Sequence, residues 1–473
     1  MDDVRTDPAL VAFCPLLLLA FDLGPRTADP TPIDPTPITP PAPPVTGPPV
    51  PRFHHVIALC VLALLTLGVV MVNSADMAIA PVRGNAPPPP AVTPASILLS
   101  KSTIYMGLAL LAMLVASLFP VRHFASVAVQ AAAGGSRRLG FRSLPFSPSG
   151  PGGLGSLVPA HFLLFAGAGV LLVLLTLVYA PIIGREVNGS RRWIGLPIPG
   201  LRDALSVQPS ELAKWFLIPL LAFYCTALGG LVRRFWLGLV PALACVGLIA
   251  GMVIVEDLGT GALIAAVACF LLVAGGARLW QFMLFVPVGV AAIVAAILTS
   301  PYRVKRIMAF LDPYADPEKT GYHMIQSMLA VHNGSGFGRG LGHGLQKFGY
   351  LPEDRTDFLF AVLCEELGVA GAALVVALLS GILLASLAIA RREENPLLKL
   401  LTLGVAATVG LQAIINMAVV TGLGPTKGIA LPLVSSGGTG WILTAFFLGL
   451  VIAASRTQPA FDEQPGSVRA AEA

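Results

Sequence analysis

The sequence "GYLPEDRTDFLFAVLCEELG", from Gly349 to Gly368, combines the start of a membrane helix with a dense group of carboxylates. The apolar run begins at Phe358, and the acidic residues around that point are Glu353, Asp354, Asp357, Glu365 and Glu366. A carboxylate at the centre of a bilayer costs about 2.5–3.5 kcal/mol and is retained mainly where it has a function. The stretch therefore predicts a membrane protein with a polar site near the edge of the bilayer.

The composition of the whole chain agrees with this expectation. Of 473 residues, 55% are hydrophobic and 12% are charged, with a mean hydropathy of +0.81, whereas a soluble domain has about 25% charged residues. The net charge of +5 is spread over connecting segments without a Lys/Arg-rich run, which argues against a nucleic-acid partner. The six cysteines form no CxxC pair and the histidines no HExxH motif, so neither a disulfide framework nor a metal site is expected.

Ten apolar runs have about the length that a bilayer crossing requires. They predict an all-α polytopic membrane protein, and their even number places both termini on the same side. A large loop, residues 300–357, separates the seventh helix from the eighth. The predicted helices lie near 54–74, 103–120, 159–183, 209–228, 236–255, 259–276, 279–299, 358–390, 400–421 and 438–455.

Three segments make up the predicted domain organisation. Residues 1–52 contain a short apolar run and a Pro-rich tract, and are predicted to be a disordered, dispensable leader. Residues 53–456 form the transmembrane domain, and residues 457–473 form a tail.

The distribution of basic residues does not decide the orientation of the chain by number. If the N-terminus is inside, the inner segments carry 15 Lys and Arg residues and the outer segments carry 14. On one face these residues occupy plain connections, and on the other they lie inside dense motifs. We expect the motif-bearing face to be outside, because its motifs are typical of a site for an anion.

The first motif, residues 185–215, contains a turn signal at Asn188-Gly189 and then Arg191, Arg192 and Trp193. Glu211 lies in the first turn of the next predicted helix and Lys214 about one turn further. Guanidinium groups near a helix N-terminus are typical of a phosphate site. Arg and Trp also anchor proteins at the headgroup level, and the motif alone does not distinguish these functions.

The loop at 300–357 is too long for a simple connection. Arg303 and Arg306 share one face of a predicted helix, and "YHMIQSMLA" has an amphipathic pattern. The glycine-rich "GSGFGRGLGHG" lacks the GK[ST] of a nucleotide-binding loop. The loop is either a flexible surface segment or a mobile lid over a lipid-linked substrate.

A third motif, residues 416–441, interrupts two apolar runs with Gly-Pro and Gly-Gly. Such breaks are tolerated at membrane depth where they face protein or a cavity. Lys427 is the single cation in this segment. The segment is therefore either a packed re-entrant turn or part of a cavity wall.

Together these motifs resemble the SEDS family, whose members include FtsW, RodA and SpoVE. The resemblance covers roughly residues 54–455. It rests on "NGSRRWI", "QPSELAK", "DLGTG", "FLDPYADPEKTGYHMIQS", "GFGRGLGHGLQKFGYLPEDRTDFLFAVLCEELG" and "GPTKGIALPLVSSGGTG", which occur in the family's order. Two positions depart from the family's pattern, Ser436 in place of a tyrosine and Glu256 in place of a proline. An FtsW-like type is favoured over a RodA-like type, although His323 in "GYH" resembles the latter.

The resemblance implies ten helices, cytoplasmic termini in a bacterial inner membrane, and peptidoglycan glycosyltransferase activity on lipid II. It implies a class B penicillin-binding protein as partner, together with other membrane proteins of the division or elongation machinery. Asp357 matches the aspartate that is proposed as catalytic in the family. No cofactor is implied with certainty, and a requirement for a divalent cation stays open.

The chemistry of this reaction requires a base for the attacking hydroxyl and cations for the departing pyrophosphate. Asp357 is the expected base. The residues expected to bind substrate are Arg191, Arg192, Trp193, Glu211, Lys214, Arg303, Arg306, Gln326, Ser327, Lys347, Glu365, Glu366, Lys427 and Ser435. For Glu365 and Glu366, a structural ion pair inside the bundle is the alternative. A lipid II flippase and a non-catalytic scaffold for a penicillin-binding protein are the alternative functions.

Overall fold

The computed structural model describes residues 53–76, 97–98, 100–126, 157–180, 184–187, 190–195, 206–348, 350–351, 353, 355–436 and 438–456. The predicted leader and the predicted tail lie outside these residues, and their boundaries stay predictions.

The described chain is built almost entirely from helices. In chain order they are α1 Phe53–Asp76, α2 Lys101–Leu118, α3 Leu157–Thr176, α4 Pro209–Leu228, α5 Val240–Glu256, α6 Leu258–Ala274, α7 Val286–Leu298, α8 Pro301–Leu311, α9 Tyr322–Gly334, α10 Leu359–Arg392, α11 Pro396–Val420 and α12 Thr439–Arg456. A helical turn, Leu279–Phe282, precedes α7.

The protein is a multi-pass membrane protein. Within the described residues, nine segments are long and apolar enough to cross a bilayer, and α6 is a tenth apolar helix of 17 residues. All ten predicted helices are therefore present, with bounds that differ by a few residues. The prediction succeeded because each span needs about 20 apolar residues, whichever neighbour it packs against.

The helices α10, α11 and α4 lie at the centre of the bundle. Helix α10 packs against α1 and α11, and α4 packs against α3, α6 and α11. Helix α12 packs against α2 and α1, and Phe447 of α12 stacks on Trp215 of α4 at a ring distance of 5.0 Å. In contrast, α7 has no buried residue.

Consecutive membrane helices run in opposite directions, so one end of the bundle collects the starts of α4, α6, α10 and α12 and the ends of α5 and α11. At this end a single residue, Asp257, separates α5 from α6. Its side chain accepts hydrogen bonds from the Thr260 amide at 3.1 Å and the Thr260 hydroxyl at 3.0 Å. Asp257 therefore caps α6, as short polar side chains at a helix start commonly do.

A small antiparallel sheet, which the sequence did not predict, lies before α4. Its strands are β1 Gly184–Val187, β2 Ser190–Gly195 and β3 Ser206–Val207, in the order β1-β2-β3. In this register Arg185 pairs with Trp193, and Ile194 pairs with Val207. The turn signal at 188–189 was recognised, but strands this short have too few residues to show an alternating pattern.

The loop between α7 and α10 contains two helices. Helix α8 carries Arg303 and Arg306, and α9 contains the predicted amphipathic segment. After α9, the glycine-rich loop (residues 334–347) packs against a break in α10 at Gly368, where φ is 65° and ψ is −161°. A positive φ of this kind favours glycine.

The break in α10 leaves backbone groups without helical partners, and the glycine-rich loop satisfies them. The amides of Arg339 and Gly340 donate to the carbonyls of Glu365 and Glu366, both at 3.0 Å. In the opposite direction, Val369 and Ala370 donate to Ser335 and Gly336. A Cβ at Gly338 would lie 2.1 Å from the Glu366 carbonyl oxygen, so the loop can lie this close to α10 only with glycine at this position.

Candidate active site

Asp357 is a partly buried residue that lies two positions before the start of α10. Its backbone carbonyl accepts a hydrogen bond from Asn416 Nδ2 of α11 at 2.8 Å. The same amide nitrogen donates to the Ile429 carbonyl at 2.7 Å. Asn416 therefore ties Asp357 to the segment that connects α11 with α12.

Gly428 of that connecting segment is exposed and faces the Asp357 side chain. A Cβ at Gly428 would lie 3.1 Å from Asp357 Oδ2 and 3.9 Å from Arg192 Nη1. The carboxylate and the guanidinium therefore border the same small space, which only a glycine leaves open.

We expect the substitution Gly428→Val to lower any rate that depends on the Asp357 carboxylate by at least about tenfold, because the added methyl groups occupy the space beside it. The rate per folded protein is the measurement. Gly424→Val, in the same segment and without any side chain of the site near its Cβ, is the matched control. Equal effects of the two substitutions would contradict this prediction.

Arg192 projects from β2 with its side chain about one third exposed. Its Nη2 donates to the Glu256 carbonyl at 2.6 Å, and its Nη1 lies 3.5 Å from Asp257 Oδ2. The turn between α5 and α6 therefore holds the guanidinium in place, and its exposed part remains available for a further anion. A small cleft adjoins it, with polar groups including Ser210 and Glu256 and apolar walls from α3 and α5.

The electrostatic surroundings of Asp357 raise the pKa of its carboxyl to about 7. Burial is the largest cause, and the carboxylates of Glu353 and Asp257 add to it. Arg306 and Arg192 oppose the increase, because nearby cations favour the charged form. A carboxyl with a pKa near 7 is suited to accept a proton at neutral pH.

Two further cations lie near this centre. Arg306 donates to the Thr426 carbonyl at 3.1 Å and packs on the Tyr302 ring. Lys427 has a pKa below its usual value because of burial, which the negative charge of Asp257 partly offsets. Lys427 makes no hydrogen bond or ion pair to any residue that the structure describes, whereas the guanidinium groups of Arg192 and Arg306 both donate to main-chain carbonyls.

His323 of α9 also belongs to the surroundings of Asp357. Its ring lies 6.1 Å from the ring of Phe358 in a stacked arrangement. Its pKa is lowered by burial and by Arg306, against an opposing effect of Glu353. The imidazole is therefore predominantly neutral at pH 7.

Several residues that are expected to bind substrate have protein partners in the structure. Lys214 Nζ lies 2.7 Å from Glu211 Oε2 and 2.9 Å from Gln412 Oε1, which links α4 to α11. Arg303 donates to three main-chain carbonyls at the ends of α5 and α7, with distances of 2.6–2.9 Å. These side chains connect helices around the site.

Two serines on the list of expected substrate ligands have similar structural contacts. Ser327 is buried and donates to the Val420 carbonyl at 2.8 Å. Ser435 is also buried, and its hydroxyl accepts from the Leu431 amide at 3.0 Å. Gln326 and Trp193 are partly buried, and the side chain of Arg191 lies outside the described part of the chain.

The side chains of Lys347, Glu365 and Glu366 are completely buried. Lys347 Nζ lies 2.8 Å from Glu366 Oε1, so the structure has the ion pair that was the alternative to substrate binding. In this arrangement Glu365 and Glu366 hold the glycine-rich loop through its amides and through Lys347. Over the described ranges, no group of three or more His, Cys, Asp or Glu residues is placed to hold a metal ion.

The sequence interpretation did not single out Asn416, Gly428 or Asp257 as parts of the site. Asn416 offered a signal, because an amide within an apolar helix generally has a specific partner. Gly428 offered none, since its importance depends on which side chains approach it from other segments.

Comparisons with known proteins identify the family of this chain. The sequence profile of the FtsW/RodA/SpoVE family, described as a cell cycle protein, matches residues 157–459. The chain belongs to the FtsW/RodA/SpoVE family. Because the match begins at residue 157, α1 and α2 lie outside it, although the resemblance was expected from residue 54.

Two relatives illustrate how similar the chain is to other members of the FtsW/RodA/SpoVE family. A probable peptidoglycan glycosyltransferase FtsW of Thioalkalivibrio sulfidiphilus is 42% identical over 299 residues, which cover 62% of this chain and 73% of the relative. Stage V sporulation protein E of Bacillus subtilis is 39% identical over 285 residues, or 60% of this chain and 76% of the relative.

Solved structures of the FtsW/RodA/SpoVE type share the fold. One, described as "Structural coordination of polymerization and crosslinking by a peptidoglycan synthase complex", has a TM-score of 0.60 and 23% identity, and covers 85% of this chain and 97% of the other. The rod shape determining protein RodA of Thermus thermophilus has a TM-score of 0.50 and 22% identity, with the same coverage. At this level of identity the likeness concerns the fold.

Proposed function

We propose that this protein is a peptidoglycan glycosyltransferase that polymerises lipid II. The observation that carries the proposal is Asp357, a partly buried carboxylate with a pKa near 7, beside the guanidinium of Arg192. The names of the relatives, which include probable peptidoglycan glycosyltransferases, support the same activity.

In the proposed reaction, the C4 hydroxyl of one GlcNAc attacks the anomeric carbon of the MurNAc of another lipid II. Asp357 accepts the hydroxyl proton as the new C–O bond forms. The bond from the anomeric carbon to the pyrophosphate oxygen breaks, and polyprenyl pyrophosphate leaves with the electron pair. Arg306 and Arg192 act electrostatically on Asp357, and Lys427 acts on the neighbouring Asp257. In the proposed reaction these three cations stabilise the negative charge on the leaving group.

The proposal includes an orientation and a partner. The site end of the bundle faces outward from a bacterial inner membrane, both termini are cytoplasmic, and a class B penicillin-binding protein crosslinks the product. The dense cationic motifs at that end support the orientation. The likeness to a chain of a peptidoglycan synthase complex supports a crosslinking partner.

The decisive experiment is polymerisation of lipid II by the purified full-length protein, with and without a co-expressed class B penicillin-binding protein. A glycosyltransferase produces glycan strands that require Asp357. A flippase moves lipid II across proteoliposomes without forming polymer. A scaffold increases the partner's crosslinking without forming polymer itself.

We expect polymerisation to depend on pH with a midpoint near 7, the pKa to which its surroundings raise Asp357. The base is active without its proton, so kcat/KM should rise through the midpoint and fall about tenfold per pH unit below it. Initial rates at low lipid II concentration, from about pH 5 to about pH 9, measure this midpoint. A midpoint near the ordinary carboxyl value of about 4 would contradict it.

A further inference from the structure

All of the described side-chain hydrogen bonds of Glu365 and Glu366 are made with the glycine-rich loop and with α1. Glu365 accepts from the amides of Leu345 and Gln346 at 3.0 and 3.1 Å. Glu366 accepts from the Gly342 amide at 3.1 Å and from the Ser74 hydroxyl at 2.8 Å. Both side chains are completely buried, so this arrangement replaces the water that a carboxylate would otherwise require.

Lys347 completes this cluster from the end of the glycine-rich loop. Its ammonium lies 2.8 Å from Glu366 Oε1 and 3.0 Å from the Ser74 hydroxyl. Lys347 is as fully buried as its partner, and removal of either charge would leave the other buried and unpaired. The pair therefore fixes one particular position of the loop end on α10.

Lys347 is also the point from which the chain continues to Asp357. Leu351, which is buried, donates its amide to the Gln346 carbonyl at 2.9 Å. Further on, the amides of Thr356 and Phe358 donate to the Glu353 carbonyl. The described parts of this connection are thus anchored at one end by Lys347 and at the other by the contact of Asp357 with Asn416.

We propose that Lys347 is a positioning residue, whose ion pair with Glu366 holds the segment that carries Asp357 at its place beside Arg192 and Gly428. This inference rests on the proposed function, because positioning matters only if Asp357 acts in the reaction. It gives Lys347 a function other than contact with substrate. Lys347 acts at a distance, through the nine residues that separate it from Asp357 in the chain.

The test uses Lys347→Met, which removes the ammonium and keeps most of the side-chain volume. If the segment loosens, water reaches Asp357 and the midpoint of kcat/KM against pH falls by about one unit. Loss of a distant positive charge by itself would raise the midpoint instead. The charged groups that face Asp357 are Glu353, Asp257, Arg306 and Arg192, with Lys427 beside Asp257, and Lys347→Met leaves all of them unchanged.

The matched control is Arg122→Met, which breaks an ion pair of 3.0 Å to Glu393, another completely buried carboxylate, after the far end of α10. Both substitutions should lower the melting temperature. Only Lys347→Met should shift the pH midpoint. If Lys347→Met fails to fold, the double substitution Lys347→Met with Glu366→Gln removes both charges and carries the same expectations.

Hydrogen–deuterium exchange gives a measurement that does not depend on activity. In Lys347→Met, and not in Arg122→Met, we expect the amides of Leu351, Thr356 and Phe358 to exchange at least about tenfold faster. Unchanged exchange, or a midpoint that does not fall in a protein that makes polymer, overturns the positioning role. If the wild type makes no polymer, the proposed function fails, and exchange alone decides whether Lys347 holds this segment.

Discussion

The substitution Asp357→Asn should reduce lipid II polymerisation by about 10²–10⁴-fold, which is the usual contribution of a general base. Asparagine preserves the size of the side chain and its place beside Gly428 but cannot accept the hydroxyl proton. Binding of lipid II, measured separately with the purified variant, should change little, because Arg192 and Lys427 remain. Near-normal polymer from Asp357→Asn would refute the catalytic assignment.

The same variant should be more stable than the wild type at alkaline pH. The Asp357 carboxyl has a pKa of about 7 in the folded state and an ordinary value of about 4 in the unfolded state. As pH rises from about 4 to about 7, the unfolded state therefore loses this proton first, and the free energy of unfolding decreases. Asparagine is neutral at every pH and avoids this loss. We expect a higher melting temperature for Asp357→Asn than for the wild type at pH above about 7, and a smaller difference at pH below about 4.

The substitution Arg192→Lys should lower kcat/KM by about 10–150-fold, because hydrogen bonds to charged partners contribute about 1.5–3 kcal/mol each. Lysine preserves the charge but not the planar fork, which holds the Glu256 carbonyl and presents further donors. The dependence of rate on lipid II concentration measures this effect.

Arg303→Lys is the matched comparison for Arg192→Lys. Arg303 lies in the neighbouring part of the bundle, and its described hydrogen bonds all reach main-chain carbonyls. We therefore expect Arg303→Lys to lower the melting temperature and to leave the concentration dependence unchanged. If the two variants behave alike, Arg192 is a structural anchor as well, and the pyrophosphate must be bound elsewhere.

The membrane helices could be predicted from the sequence because the bilayer imposes length and hydrophobicity on each of them separately. The break at Gly368 could not, since an isolated glycine within an apolar run is common in membrane helices. Only the structure shows the break, together with the glycine-rich loop that hydrogen-bonds to it. The small sheet escaped prediction for a related reason, as its short strands depend on pairing with each other.

For the site, the sequence could single out Asp357 and a group of cations as candidates, but not the protein partners of each cation. Arg192, Arg303 and Lys347 look equivalent as basic residues within motifs. Their difference lies in the partners that the fold supplies. Arg303 meets carbonyls, Lys347 meets a buried carboxylate, and Arg192 keeps an exposed part.

The cluster around Glu366 also bears on how the chain is synthesised. Ser74 precedes Glu366 by 292 positions and Lys347 precedes it by 19, so both partners leave the ribosome before the glutamate does. When α10 is synthesised, α1 and Lys347 are therefore already part of the chain. The positively charged Lys347 is thus synthesised before Glu366, and α10 requires no later helix to neutralise this glutamate.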